Sequence, residues 1–172
     1  MRNRHLLILL AACFGCDSGV GRQASSAKQS SLENGQPSLR ALAELALQAA
    51  EAGDALALNS LRVTEREYKE LFFPEFPEAG PGHNIPCDFH WYHLNVRSLK
   101  GVQDVIDEHA GRKYELLDVI ATQGVESFKT FKAHKKVELK VRLSADGAEV
   151  QIRLFGSVME RAGEFKILSF PS

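Results

Sequence analysis

Val137-Glu138-Leu139-Lys140-Val141-Arg142-Leu143 alternates apolar and charged residues without a break. Successive side chains on a strand point to opposite faces. Val137, Leu139, Val141 and Leu143 therefore share one face, and Lys136, Glu138, Lys140 and Arg142 the other. Asp146-Gly147 follows, a dipeptide that accepts the positive φ angles of a tight hairpin turn. Val150, Ile152 and Leu154 form the return strand. Phe155 breaks the alternation and Gly156 follows it, which predicts a bulge or sharp bend. Ala162-Gly163 turns the chain again, and Phe165 to Phe170 supplies a last strand. Upstream, Tyr114 to Thr122 is apolar enough for a further strand.

Before Lys113 the period is helical. Leu39, Leu42, Ala46, Ala49 and Ala50 recur on one stripe, with Ser38 as N-cap and Gly53 as terminator. Asp54 caps a second short helix through Leu58 and Leu61. Thr64-Glu65-Arg66-Glu67 has the spacing of a capping box, in which Thr and Glu side chains satisfy each other's backbone donors. Tyr68, Leu71 and Phe72 give that third segment an apolar face. Pro74 is expected to end it, because the residue before a proline is pushed away from helical angles. Phe73 to Pro86 reads as an irregular connector or a rim over a pocket. Ser98 is read as the start of the last helix, with Val102, Val105, Ile106 and His109 on one stripe and Gly111 closing it. Helices first and a meander of strands afterwards predict an α+β domain, the helices packed on one face of a curved antiparallel sheet.

The 172 residues suit a single domain. With 21 Lys+Arg against 22 Asp+Glu the chain has no strong field of either sign, so composition gives nucleic-acid binding no support. Residues 14–37 are rich in Ser, Gly, Gln, Lys and Asn and poor in large apolar side chains. Such a segment cannot bury enough surface to offset its ordering entropy. It reads as a flexible tether, and a coil of that length spans roughly 25–30 Å. The folded part is expected over residues 38–172.

The first residues carry a second signal. Arg2 and Arg4 precede an apolar run from Leu6 to Leu10, then Leu10-Ala11-Ala12-Cys13. The run is far too short for a bilayer span, which needs about 20 residues, and fits a signal-peptide core. The pattern resembles the lipobox of bacterial lipoproteins. That resemblance implies a signal peptide over residues 1–12, a diacylglyceryl group on Cys13 and a lipid anchor in a cell envelope. Without residues 1–12, Lys+Arg falls from 21 to 19 against 22 Asp+Glu, a net charge of −3. Cys16 is the rival lipid site. With Cys13 lipidated the next residue is Phe14, which implies the outer membrane in enterobacteria. With Cys16 it is Asp17, which resembles an inner-membrane retention signal. The domain then faces the periplasm or the extracellular surface. If Cys13 is acylated, Cys16 and Cys87 remain and could pair in an oxidising compartment.

The element order resembles the nuclear-transport-factor-2-like superfamily, also called SnoaL-like or cystatin-like. The shared features are Ala52-Gly53-Asp54-Ala55, Phe73-Pro74-Glu75, the Phe89 to Leu94 aromatic block and Leu154-Phe155-Gly156-Ser157. A group of bacterial lipoproteins carries that domain. The resemblance implies a cone-shaped sheet enclosing an apolar cavity, which Tyr68, Trp91 and Phe155 would line, and a possible homodimer through the sheet. The superfamily hosts enzymes and non-enzymes alike, so fold does not assign activity.

Chemistry-bearing residues gather between His83 and His93. Cys87, His90 and His93 are zinc-type ligands spaced by three, with Asp118 and His134 as distal candidates, but no second ligand pair follows. On a helix His90 and His93 share a face; on a strand they part. No metal or other cofactor is expected. Enzymes of the superfamily place an Asp or a Tyr/Asp set in the cavity, and Asp88, Tyr92, His93, Tyr114 and Asp118 are the candidates of that type here. Lys129, Lys132, Lys135, Lys136, Lys140 and Arg142 form a basic segment that reads as a solvated sheet face or a site for an anionic partner. No Walker, Rossmann or nucleophile-elbow pattern occurs. The primary expectation is a membrane-tethered, non-enzymatic binding or scaffold domain for a small apolar ligand or an envelope protein. The alternative is a small isomerase, cyclase or dehydratase using the same cavity.

Overall fold

The computed structural model describes residues 31–82 and 85–171. The signal peptide, Cys13, Cys16, His83 and the tether up to residue 30 lie outside the described residues. The protein is α+β. Among the described residues four α-helices come first, α1 Leu39–Ala52, α2 Ala55–Ser60, α3 Glu65–Glu67 and α4 Cys87–His109. Seven strands follow, β1 Tyr114–Ala121, β2 Val125–Ser127, β3 Lys132–His134, β4 Val137–Leu143, β5 Glu149–Ile152, β6 Val158–Arg161 and β7 Glu164–Ile167.

The caps form as their chemistry requires. Ser38 Oγ accepts from Ala41 N at 3.0 Å, and Gly53 ends α1 at φ +67°. Asp54 Oδ1 accepts from Ala57 N at 2.9 Å at the head of α2. Thr64 and Glu67 close the capping box reciprocally, at 3.2 and 2.8 Å.

Two expectations for the helices are corrected. Phe73 stays helical (φ −54°, ψ −40°) despite preceding Pro74. The chain loosens into a π-turn at Tyr68–Phe72 and tightens into a 3₁₀ turn at Phe73–Glu75. The extended conformation demanded before proline appears at Phe76, ahead of Pro77. Ser98 starts no helix. It lies fully buried inside α4, and its Oγ accepts from Phe170 N at 2.9 Å. The aromatic block Phe89 to Leu94, which the sequence leaves open between helix and strand, is the first half of that helix.

The single curved sheet is two antiparallel sheets, ordered β1-β4-β5 and β2-β3-β6-β7. They meet at bends. β1 runs on into β2, and β3 into β4, with Lys136 at φ +49° and Gly124 at φ +78° at the kinks. The bonds Thr122 N to Lys136 O (3.0 Å) and Lys135 N to Gly124 O (2.9 Å) hold the two arms together through the turn. Phe155 and Gly156 fall between β5 and β6, where the chain leaves one sheet for the other. Leu154 lies beyond the end of β5 and is fully buried. The last strand stops at Ile167 rather than Phe170. β2 and β3 come from a segment whose lysines masked its strand character.

The alternation of β4 holds. Val137, Leu139 and Val141 are fully buried and face Leu42, Ala46 and Ala50 of α1 and Val102 and Val105 of α4 in the main core. Each such aliphatic side chain contributes roughly 1.5–3 kcal/mol by leaving water. A second cluster, with Val63, Tyr68, Phe72, Phe131 and Met159, joins the π-turn to the second sheet. Phe72 and Phe131 meet edge to face there, centroids 4.9 Å apart.

The folded unit begins before Ser38. Leu32 is buried in the second cluster, its N–H donates to Glu164, and Gln36 pairs with Phe165 across a β-bridge. Composition alone marks residues 31–37 as tether because one leucine among polar residues carries no period.

Candidate functional site

The N-terminal half of α4 positions the site. Helical spacing brings Phe89, His90, His93, Leu94 and Arg97 onto one broad face. That face looks toward Tyr68 on the π-turn, Phe76 and Glu78 on the irregular segment, and Leu168 just past β7. With Ile85 these residues line a cleft of about 310 Å³, open on one side. Its walls are mainly aromatic and aliphatic. His90, His93, Glu78 and Arg97 supply the polar groups.

Tyr68 is the wall's anchor. Its ring packs on Trp91 and Phe73, centroids 5.4 and 5.9 Å apart. Its hydroxyl lies 3.3 Å from His90 Nδ1. Burial, with Cys87 and Glu78 nearby, pushes its pKa above the ordinary phenol value, so the hydroxyl keeps its proton at neutral pH. A second cleft of about 230 Å³ adjoins the first and shares Leu94 and Arg97 with it. Arg153, Ser169, Phe170 and Pro171 complete its lining.

The candidate catalytic residues are scattered. Asp88 is exposed and ion-pairs with Lys69. Tyr92 is exposed on the outer side of α4. Tyr114 Oη lies 2.8 Å from His109 Nδ1, away from the cleft at the other end of α4. Asp118 is exposed on β1, where its carboxylate accepts from Val119 N at 2.8 Å. His93 alone of the five lines the cleft, its ring 4.3 Å from that of Phe89.

Of the three residues expected to line a cavity, Tyr68 does so. Trp91 stands behind Tyr68 in the second cluster. Phe155 is fully buried in the main core instead, because it sits where the chain crosses between sheets and turns inward. His90 and His93 both line the cleft as helical spacing allows, while Cys87 packs against the second cluster with a thiol pKa raised by burial. His134 pairs with Glu160 at 2.8 Å, on β3 and β6. Among the described residues no three His, Cys, Asp or Glu side chains converge as a metal site requires.

The basic segment is largely neutralised by neighbouring glutamates. Lys132 pairs with Glu160, Lys135 with Glu126, Lys136 with Glu138, Lys140 with Glu149, and Arg142 with Glu115 and Glu149. Exposed pairs like these contribute little stability, but they leave no broad cationic face.

Leu94, Arg97, Leu168, Arg153 and Ser169 are site residues that the sequence reading missed. Starting α4 at Cys87 would have revealed the first two, since Phe89, His90, His93, Leu94 and Arg97 then share a face. Nothing in the sequence links Arg153 or Ser169 to them.

No family model, curated protein or solved structure matches this chain. Among the described residues no helix is long and apolar enough to cross a membrane.

Proposed function

We propose that this chain is a lipid-anchored envelope protein whose domain is a non-enzymatic binding module of the nuclear-transport-factor-2-like kind. Helices preceding bent antiparallel hairpins support the domain likeness, and Leu10-Ala11-Ala12-Cys13 supports the anchor. The cleft along α4 is the binding site. The observation that carries this reading is an open, largely apolar cleft with Phe89 left 56% exposed at its edge. A concave apolar wall with a few polar groups is the usual form of a small-molecule site. The separation of Asp88, Tyr92, Tyr114 and Asp118 from the cleft supports binding over acid/base chemistry. The paired lysines of the outer sheet face support a partner other than nucleic acid.

Two measurements test the reading. Mass spectrometry of the mature N-terminus should find acylation on Cys13, and Cys13→Ser should release the protein from the membrane fraction. An acylated Cys16 would move the anchor by three residues. Trp91, the single tryptophan, packs on Tyr68 of the cleft wall. Its fluorescence should change on titration with apolar ligands, and Phe89→Ala with Leu94→Ala should weaken the response. A flat titration with every apolar probe would remove the binding reading.

A further inference from the structure

Resting on the reading of the α4 cleft as a binding site, we infer its ligand class: a single-chain anionic amphiphile, its chain in the apolar cleft and its oxyanion head between Arg97 and Arg153.

Contiguity is the first ground. The two clefts share Leu94 and Arg97, so an apolar slot lies directly beside a polar one. The slot's 310 Å³ stands at the lower edge of the roughly 300–1,000 Å³ of small-molecule sites. That is room for one short chain rather than a two-chain lipid. Tyr68, Phe76, Ile85, Phe89 and Leu168 present the chain with apolar surface.

Charge is the second. Along the outer sheet face the basic side chains are met by glutamates. Arg97 and Arg153 line one cleft and have no carboxylate partner among the described residues. Two like charges facing one space repel, and an oxyanion placed between them removes that repulsion. Guanidinium forks match carboxylate and phosphate oxygens in pairs.

A third polar group completes the head site. A Cβ placed on Gly156 would lie 2.9 Å from Ser169 Oγ and 3.6 Å from Arg153 Nη2. The hydroxyl and the guanidinium therefore flank the same glycine, which is itself pinned by its N–H to Ser169 O at 2.8 Å. The Ser169 hydroxyl is placed to donate to an oxygen that Arg153 holds.

The test uses the full chain carrying Cys13→Ser and Cys16→Ser, so that no covalent lipid competes. Trp91 fluorescence and calorimetry follow titration with dodecanoate, dodecyl phosphate, dodecanol and inorganic phosphate. Dodecanoate or dodecyl phosphate should bind at least tenfold tighter than dodecanol. The tighter of the two names the head group. Arg97→Gln and Arg153→Gln should each weaken the anionic chain about tenfold, and dodecanol by much less. Both side chains are exposed, so an unchanged melting temperature certifies that the variants are folded. Equal affinity for dodecanol and the anions, or no effect of either arginine, overturns the head-group assignment while the cleft stands. Binding of inorganic phosphate as tightly as dodecyl phosphate overturns the role of the chain. If no dodecyl compound binds, the cleft reading falls with it.

Discussion

Glu67 joins three stretches of chain. Its carboxylate accepts from Thr64 N at 2.8 Å, from Glu33 N at 2.6 Å and from Lys166 Nζ at 2.8 Å. Both members of the Lys166–Glu67 ion pair are almost fully buried. Burial works against the charge of Glu67, yet the Lys166 ammonium and the two N–H groups hold its pKa below the usual carboxylate range. Removing one partner leaves a buried charge uncompensated. Lys166→Met should therefore cost about 3–5 kcal/mol, and adding Glu67→Gln should restore part of it in a double-mutant cycle by denaturant unfolding. The capping box at Thr64 and Glu67 is legible in the sequence. Lys166 is not, because alternation in Phe165-Lys166-Ile167 reads it as an outward residue. His109 shows another residue-scale effect. Burial pushes its pKa below the ordinary imidazole value of 6.5, with Glu108 opposing and Arg112 assisting. The unfolded chain binds this proton more readily, so the His109 contribution is present above pH 6.5 and is lost as pH falls toward its folded value. Glu67, Glu75 and Glu160 also have lowered values, but their losses begin below the carboxylate pKa of 4.5. Between pH 7.5 and 5.5 the melting temperature of the wild type should drop, and His109→Gln should flatten that slope.

At the scale of elements, α4 and the C-terminal segment act as one unit. Gly101 permits their close approach, since a Cβ there would lie 2.2 Å from Pro171 O and 2.9 Å from Phe170 Cβ. Gly101→Ala should cost about 1–3 kcal/mol, as overpacking does, despite the better helix propensity of alanine. Ser98→Ala should cost a similar 1–3 kcal/mol by stranding the buried Phe170 N–H. Both variants should also weaken ligand binding at the second cleft, which Phe170 and Pro171 line. Thermal unfolding and Trp91 titration measure the two effects separately. The apolar stripe at Val102, Val105 and His109 was visible from its period. The start of the helix was not. A serine four residues ahead of an apolar stripe looks like a cap, and Phe89 to Leu94 satisfies strand and helix preferences alike. Only the packing of that block against Tyr68 and Phe73 decides between them.

For the molecule as a whole, the N-terminal boundary is open to direct test. Two truncations, of residues 1–30 and of residues 1–37, make the comparison. Deleting residues 1–37 exposes the Leu32 pocket and removes the Glu33 N–H from Glu67, and should cost at least the roughly 1.5–3 kcal/mol of one buried leucine. Equal melting temperatures for the two truncations would place the boundary at Ser38 after all. What the sequence determined by itself is what short-range physics controls: an apolar/charged period of two over Val137–Leu143, caps at Ser38, Asp54 and Thr64, turns at Asp146-Gly147 and Ala162-Gly163, and helices before strands. Tertiary structure alone decided that the sheet splits in two, that Phe155 belongs to the core, and that Arg97 and Arg153 share a cleft with Leu94 and Ser169. Those outcomes depend on residues separated by dozens of positions, such as Glu67 and Lys166, 99 apart. Local preference does not encode such meetings; they follow from which faces must be buried together once the elements exist.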